Sequence, residues 1–124
     1  MTLLLVAAAG GLGAACRFAV DTLLRARTSP RYPVGTLVIN VSGSLLLGVV
    51  AGLAVGGLLP DAVQQGVSAG FLGGYTTFST AAVEAVRLMQ DRRTWPAALA
   101  SVGMLLLAVA AAAVGLAIGS AVAA

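Results

Sequence analysis

Two adjacent glycines and a cluster of hydroxyl side chains interrupt an otherwise apolar stretch at GFLGGYTTFST, residues 70–80. The hydroxyl residues are Thr76, Thr77, Ser79 and Thr80. Because glycine in a helix interior costs about 1 kcal/mol relative to alanine, we expect a helix to be broken here. Carbonyl oxygens freed by a break can hold a cation, while hydroxyl and amide hydrogens and the positive edges of aromatic rings can face an anion. The stretch is therefore a candidate ion site.

A second polar group inside an apolar segment is Asn40, whose side-chain amide is costly to leave unpaired in lipid. Polar groups on two segments indicate a narrow conduit. Catalysis is not expected, because the chain has no histidine and only one cysteine, Cys16. That lone cysteine also excludes an internal disulfide and a cysteine-type zinc site.

The composition places the chain in a membrane. Of its 124 residues 60% are hydrophobic and 9% are charged, and the mean hydropathy is +1.04. No soluble surface can be made from such a chain, so we expect a multi-pass protein of a prokaryotic plasma membrane, surrounded by lipid. The net charge of +3 comes from seven arginines against four acids. These arginines predict membrane topology rather than binding to nucleic acid.

Four apolar segments, each long enough to cross a bilayer, cover residues 3–20, 34–58, 63–88 and 96–123. The predicted fold is an all-α membrane protein, a single domain over residues 1–124 with four transmembrane helices, the third broken near the bilayer centre. The first segment has no positive residue before its apolar run, and GLGAAC only loosely resembles a lipoprotein cleavage site. We therefore expect it to be kept as a helix, with Arg17 and Asp21 near its end, either as a simple anchoring pair or in a specific role.

The arginines are distributed unevenly between the two sides of this predicted bundle. They lie in the first and third connections or at the helix ends nearest them: Arg25, Arg27, Arg31, Arg92 and Arg93 in the connections, and Arg17 and Arg87 at the helix ends. By the positive-inside rule these connections are cytoplasmic, and both termini face outward.

Three peptides resemble signatures of the fluoride channel family, called Fluc or CrcB, in the same order and at the same spacing. They are GGLGAACRF at residues 10–18, GTLVINVSGSLLLG at residues 35–48, and GFLGGYTTFST followed by Glu84. The resemblance covers nearly the whole chain. It implies a four-helix subunit that forms an antiparallel dimer, conducts fluoride passively out of the cytoplasm, confers fluoride resistance, and holds a structural sodium ion at the dimer centre.

The resemblance also assigns roles by position. It implies that the backbone carbonyls of Gly73 and Thr76 hold the sodium ion. Asn40 matches the pore asparagine and Phe78 the first of two pore phenylalanines. The polar residues beside them are Ser79 and Thr80. Accordingly, Asn40→Ala or Phe78→Ala is expected to lower fluoride flux while leaving assembly intact.

Two departures from the family pattern sharpen this hypothesis. Ala81 stands where the second phenylalanine belongs, and the fourth segment lacks the tyrosine, asparagine or serine residues that usually continue the polar path, with only Ser101 near its start. A homodimer needs insertion in both orientations, yet all the arginines favour one. We therefore predict a heterodimer with an oppositely oriented homologous subunit, with one good pore and one degraded pore. The homodimer is the second possibility.

Two other classes of function are weighed against the channel. A small proton-coupled multidrug exporter of the four-helix dual-topology type needs a membrane-embedded carboxylate in its first helix. Here Asp21 lies at a boundary, and Glu84 is expected to form a helix-stabilising pair with Arg87. A purely structural membrane subunit leaves Asn40 and the GGYTTFST stretch without a purpose.

Overall fold

The structure is a computed structural model that describes residues 1–28 and 33–124, apart from the side chains of Ser79 and Thr80. Arg31, assigned above to a cytoplasmic connection, lies outside the described residues. The described chain is helical, and three of its helices are long and apolar enough to cross a membrane: α1 (Thr2–Arg25), α2 (Val34–Val55) and α6 (Thr94–Ala123).

The ends of α1 and α2 follow from local interactions. Helix α1 extends to Arg25, beyond the predicted residue 20, and its last turn holds an ion pair of 2.9 Å between Arg25 Nε and Asp21 Oδ2. Helix α2 ends at Val55, before the predicted residue 58, because Gly57 adopts a positive φ of 75°. The Leu58 N–H then bonds back to the Leu53 carbonyl at 3.0 Å, which closes the helix end.

The third apolar segment is a series of short helical pieces. Residues 61–75, which we call the first half-helix, comprise α3 (Asp61–Gln65), a π-helical stretch (Gly66–Leu72) and α4 (Gly73–Tyr75). After two non-helical residues, α5 runs over Phe78–Gln90. A π-helical stretch within a helix is unusual and is often found at functional sites.

Small residues allow the helix backbones to approach closely. On α2 and α6, a side chain at Gly48, Gly52, Gly115 or Gly119 would overlap the main chain of the facing helix. The first half-helix packs on α1 in the same way, since a Cβ at Gly74 would overlap the Gly10 carbonyl. Two close-packed helix pairs thus form the framework, as in other membrane bundles built on small residues.

The two ends of the bundle are identified by their contacts. At one end, Arg25 Nη2 at the close of α1 lies 3.2 Å from Glu84 Oε1 on α5, and Thr36 at the start of α2 donates to the same oxygen at 3.0 Å. At the other end, Gly56 lies beside Ala123, and Gly66 lies beside Leu5. The chain termini therefore lie opposite the end that carries Arg25.

Candidate functional site

The interruption of the third segment lies at Thr76 and Thr77, after the glycine pair. Gly73 and Gly74 are themselves helical, and the chain becomes extended at Thr76, with φ −78° and ψ 157°. The Thr76 N–H and the Thr76 hydroxyl both donate to the Leu72 carbonyl at 2.9 Å, which completes the last turn of the first half-helix. Gly74 instead permits close packing on α1, and the polar threonines supply the interruption.

Asn40 bridges the interruption from α2. Its Nδ2 donates to the Thr77 carbonyl at 2.9 Å, and its Oδ1 accepts the Thr77 N–H at 2.9 Å. One side-chain amide therefore serves both main-chain groups of Thr77, a residue that is buried. Buried main-chain groups need such partners, so Asn40 stabilises the non-helical backbone.

The bonds between Asn40 and Thr77 also affect the Gly73 carbonyl, because they engage the N–H that would otherwise bond to it. In an unbroken helix the Thr77 N–H would donate to that oxygen, four residues earlier. Because the Thr77 N–H instead bonds to Asn40, Gly73 loses its helical donor. Main-chain oxygens at a helix end are suitable ligands for a hard cation. Among the described residues, no group of three or more Cys, Asp or Glu side chains is placed to hold a metal.

A mostly apolar groove of about 690 Å³ gathers the predicted site residues. Four of them line it, namely Asn40 on α2, Gly73 on α4, Thr76 in the non-helical connection and Phe78 at the start of α5. The Phe78 side chain is 86% exposed although it is large and apolar. Ala81 and Ser101 line the same groove, one turn after Phe78 and on α6 respectively. The structure therefore brings together residues that lie far apart in the sequence, and it does not describe the side chains of Ser79 and Thr80.

Met104 on α6 also contacts Asn40. Its sulfur lies 3.4 Å from Asn40 Nδ2 and accepts a hydrogen bond from it. No sequence signal pointed to this contact, because a methionine in an apolar helix is usually a packing residue.

Tyr75, within the GGYTTFST stretch, is buried and hydrogen-bonded in the structure. Its hydroxyl lies 3.0 Å from Ser42 Oγ. Ser42 Oγ also lies 3.2 Å from the Ile39 carbonyl, which can accept its hydrogen when the Tyr75 hydroxyl donates. The Tyr75 ring also stacks on Phe71 with a centroid distance of 6.1 Å. The bond to Ser42 holds the end of the first half-helix against α2, and the stacking stabilises the half-helix itself.

The expected pairing of Glu84 with Arg87 is wrong. Glu84 Oε1 instead contacts Arg25 and Thr36, because its side chain turns inward between α1 and α2 while Arg87 is exposed. Glu84 Oε2 is buried and has no partner among the described residues. Asp21 likewise pairs with Arg25 rather than with Arg17. For Glu84 the three-residue spacing predicted a local pair and tertiary packing supplied a longer-range partner, whereas Asp21 takes a different local partner four residues along α1.

Comparison with known proteins gives one family. Residues 4–116 match the family model described as "CrcB-like protein, Camphor Resistance (CrcB)". A protein of Leifsonia xyli named "Fluoride-specific ion channel FluC 1" is 50% identical over 119 residues, which cover 96% of this chain and 87% of that protein. The "Fluoride-specific ion channel FluC 2" of Cutibacterium acnes is 46% identical over 121 residues, 97% of this chain and 98% of that protein.

A protein of Mycobacterium tuberculosis with the name "Fluoride-specific ion channel FluC 2" is 42% identical over 106 residues, which cover 86% of this chain and 81% of that protein. These relatives are named as ion channels and not as enzymes, in agreement with the interpretation of the sequence. With its three apolar helices, the chain is a multi-pass membrane protein. It belongs to the CrcB family of fluoride channel proteins, which the three sequence signatures indicated.

Proposed function

We propose that this chain is a subunit of a fluoride-selective ion channel, which lets cytoplasmic fluoride leave the cell passively and so confers fluoride resistance. Its relatives are named for that ion. The observation that carries the proposal is the groove in which Asn40, Gly73, Thr76 and Phe78 meet beside an interrupted helix.

The interruption brings two unlike helix ends side by side. The first half-helix ends at Tyr75 with carbonyl oxygens, the negative end of its dipole. Helix α5 begins at Phe78 with N–H groups, the positive end of its dipole. Paired ends of this kind serve ions of both signs in membrane proteins, a cation at the carbonyls and an anion at the amides.

The anion path is proposed to pass Asn40, Phe78, Ser79 and Thr80. Fluoride is small and strongly hydrated, so a pore must replace its water with several closely spaced hydrogen donors. The Asn40 amide is such a donor, and the exposed ring of Phe78 offers its positive edge. A larger and more weakly hydrated anion gains less from the same contacts, which favours fluoride over chloride.

A structural sodium ion is proposed at the carbonyls of Gly73 and Thr76. The donor chemistry fits, because both are main-chain oxygens at a helix end and the Gly73 oxygen has lost its helical donor to Asn40. One chain offers two such oxygens, so a second subunit would have to supply the others. When bound, the ion would neutralise these carbonyls and tie two subunits together.

The pieces between residues 61 and 90 are proposed to act as one interrupted crossing, the third of four. Each piece alone is too short to span a bilayer, but together they match the length of a transmembrane helix. The interruption would then lie near the bilayer centre, where irregular backbone requires partners in the protein. Asn40 is such a partner.

The partner subunit is proposed to be a homologous chain of opposite orientation, and the homodimer is the second possibility. The contacts of Glu84 hold Arg25, at the end of α1, beside α5, and Arg92 and Arg93 follow shortly after the end of α5. Such a chain inserts mainly one way, with these arginines in the cytoplasm. An antiparallel pair then requires a partner with the reverse distribution, and the plasma membrane is the proposed location.

The alternative function, proton-coupled drug export, receives no support from the names of the three relatives. It also requires a carboxylate that is available to protons within the first helix. The carboxylate on α1, Asp21, is already bonded to Arg25.

The function is tested by fluoride efflux from liposomes that contain this chain together with a homologous subunit of reversed arginine distribution, with chloride efflux as the selectivity control. We expect Phe78→Ala to lower the fluoride rate and Phe18→Ala to leave it near wild type. Phe18 is a matched control, because it is also exposed but lies on α1 outside the groove. If neither Phe78→Ala nor Asn40→Ala alters flux, these residues do not line the path.

The heterodimer is tested by expressing the chain with and without a homologous subunit of reversed arginine distribution. We expect fluoride efflux only from liposomes that contain both chains. Robust efflux from this chain alone would favour the homodimer and leave the fluoride function intact.

A further inference from the structure

The Asn40 amide has two N–H groups, and the structure places an acceptor beside it for each. The Thr77 carbonyl accepts at 2.9 Å, and the Met104 sulfur lies 3.4 Å from the same nitrogen. The Oδ1 atom is also engaged, by the Thr77 N–H. The bond to Thr77 is part of the bridge that stabilises the interruption, so the hydrogen directed at Met104 is the one that an anion could use.

Met104 lies where it can cover or expose that hydrogen. It belongs to the groove lining together with Asn40 and Phe78, and it is half-buried. A methionine side chain is unbranched and has three rotatable bonds, and its thioether is a weak hydrogen-bond acceptor. The contact with Asn40 is therefore easily exchanged for a stronger one.

We propose that Met104 is a specificity-determining residue, whose thioether occupies the second Asn40 N–H until a small anion that accepts hydrogen bonds strongly displaces it. This inference rests on the proposed function. A fluoride ion accepts hydrogen bonds far better than a thioether, because a charged acceptor forms the stronger bond. A weakly accepting anion such as chloride gains less from displacing the sulfur. Met104 therefore lowers the conductance for all anions and lowers it most for the weaker acceptors.

Two substitutions of opposite effect test this inference. Met104→Ala removes the competing acceptor, so we expect fluoride efflux to rise about three- to fivefold, as for the loss of one weak hydrogen bond, with a proportionally larger rise for chloride. Met104→Gln keeps the length of the side chain but presents an amide oxygen, a better acceptor. We expect it to lower fluoride efflux about fivefold or more.

Met89→Ala is the matched control, because Met89 is an exposed methionine on α5 outside the groove. We expect it to leave efflux unchanged. A merely structural role for Met104 would lower efflux in both variants. Changes in the same direction, or equal efflux in the wild type and both variants, would overturn the inference.

A second measurement does not depend on the variants folding. The chain has three methionines, so labelling with [methyl-¹³C]methionine gives a simple spectrum in nanodiscs. We expect fluoride to shift the Met104 methyl resonance and to leave that of Met89 in place, while chloride shifts neither. A Met104 resonance that does not respond to fluoride, in a preparation that conducts fluoride, would overturn the inference and leave the proposed function standing. A preparation in which no anion flux is observed would instead count against the proposed function.

Discussion

The bridge between Asn40 and Thr77 makes a prediction that can be worked out from the structure. Asn40→Ala removes two hydrogen bonds of 2.9 Å and leaves the N–H and the carbonyl of a buried residue without their partner. A net hydrogen bond contributes about 1 kcal/mol, and an unsatisfied buried group costs about 1–3 kcal/mol. We therefore expect the variant to lose about 2–4 kcal/mol of local stability at the interruption.

The assay is hydrogen exchange of the Thr77 amide in nanodiscs. That loss of stability corresponds to exchange on the order of thirtyfold to a thousandfold faster. Fluoride efflux should fall in the same variant. The expectation that assembly stays intact is then checked by the elution volume in detergent, since a damaged interruption would weaken any contact made at Gly73 and Thr76.

Ser42→Ala is the matched control for this experiment. Ser42 lies on the same helix as Asn40, and its replacement removes the bond to Tyr75 and leaves both bonds of Thr77 to Asn40 in place. We expect exchange at Thr77 to change less than about fivefold, since a single neutral hydrogen bond is lost elsewhere. If Asn40→Ala and the wild type exchange Thr77 at the same rate, the bridge does not stabilise the interruption, and the non-helical backbone must be held by other contacts.

Further predictions concern helix packing and one buried bond. Gly115→Leu should lower the free energy of unfolding in detergent by about 1–3 kcal/mol, because a Cβ would overlap the α2 main chain. Gly103→Leu meets no neighbour and should be tolerated. Gly74→Val should be similarly destabilising and Gly11→Val should be much milder, measured by the same unfolding assay. Thr36→Val should cost about 1–2 kcal/mol, because it removes a donor to Glu84 at a fully buried position; an unchanged melting temperature would show that the carboxylate finds another partner.

The sequence predicted the all-helical class correctly, because the long apolar runs are a strong signal. Long apolar runs bounded by proline and charge can only be stable as helices in lipid, since every main-chain polar group must be bonded internally. The ends of these helices were harder to predict. Helix α1 continues five residues past its predicted end through the Asp21–Arg25 pair, and α2 stops early at Gly57. Such differences arise from single local interactions of a few tenths to about 1 kcal/mol.

The interruption shows the limit of local reasoning more clearly. The glycines and hydroxyl residues predicted a break within residues 70–80, and the structure keeps Gly73 and Gly74 helical and opens the chain at Thr76. Gly74 is needed for contact with α1, and the two main-chain groups of Thr77 bond to a side chain that lies 37 residues away in the sequence. Helix propensity, which depends on residue type alone, could not reveal that Thr77 bonds to the Asn40 side chain instead of to its own helix.

By itself, the sequence determined that the chain is a membrane protein and which family it belongs to, because composition and motif order do not depend on three-dimensional contacts. Only the tertiary structure decided what those residues touch: Asn40 with Thr77 and Met104, Glu84 with Thr36 and Arg25, and Tyr75 with Ser42. The physical reason is that polar groups in a low-dielectric interior take whichever partner packing brings within about 3 Å, and that partner usually lies on another helix.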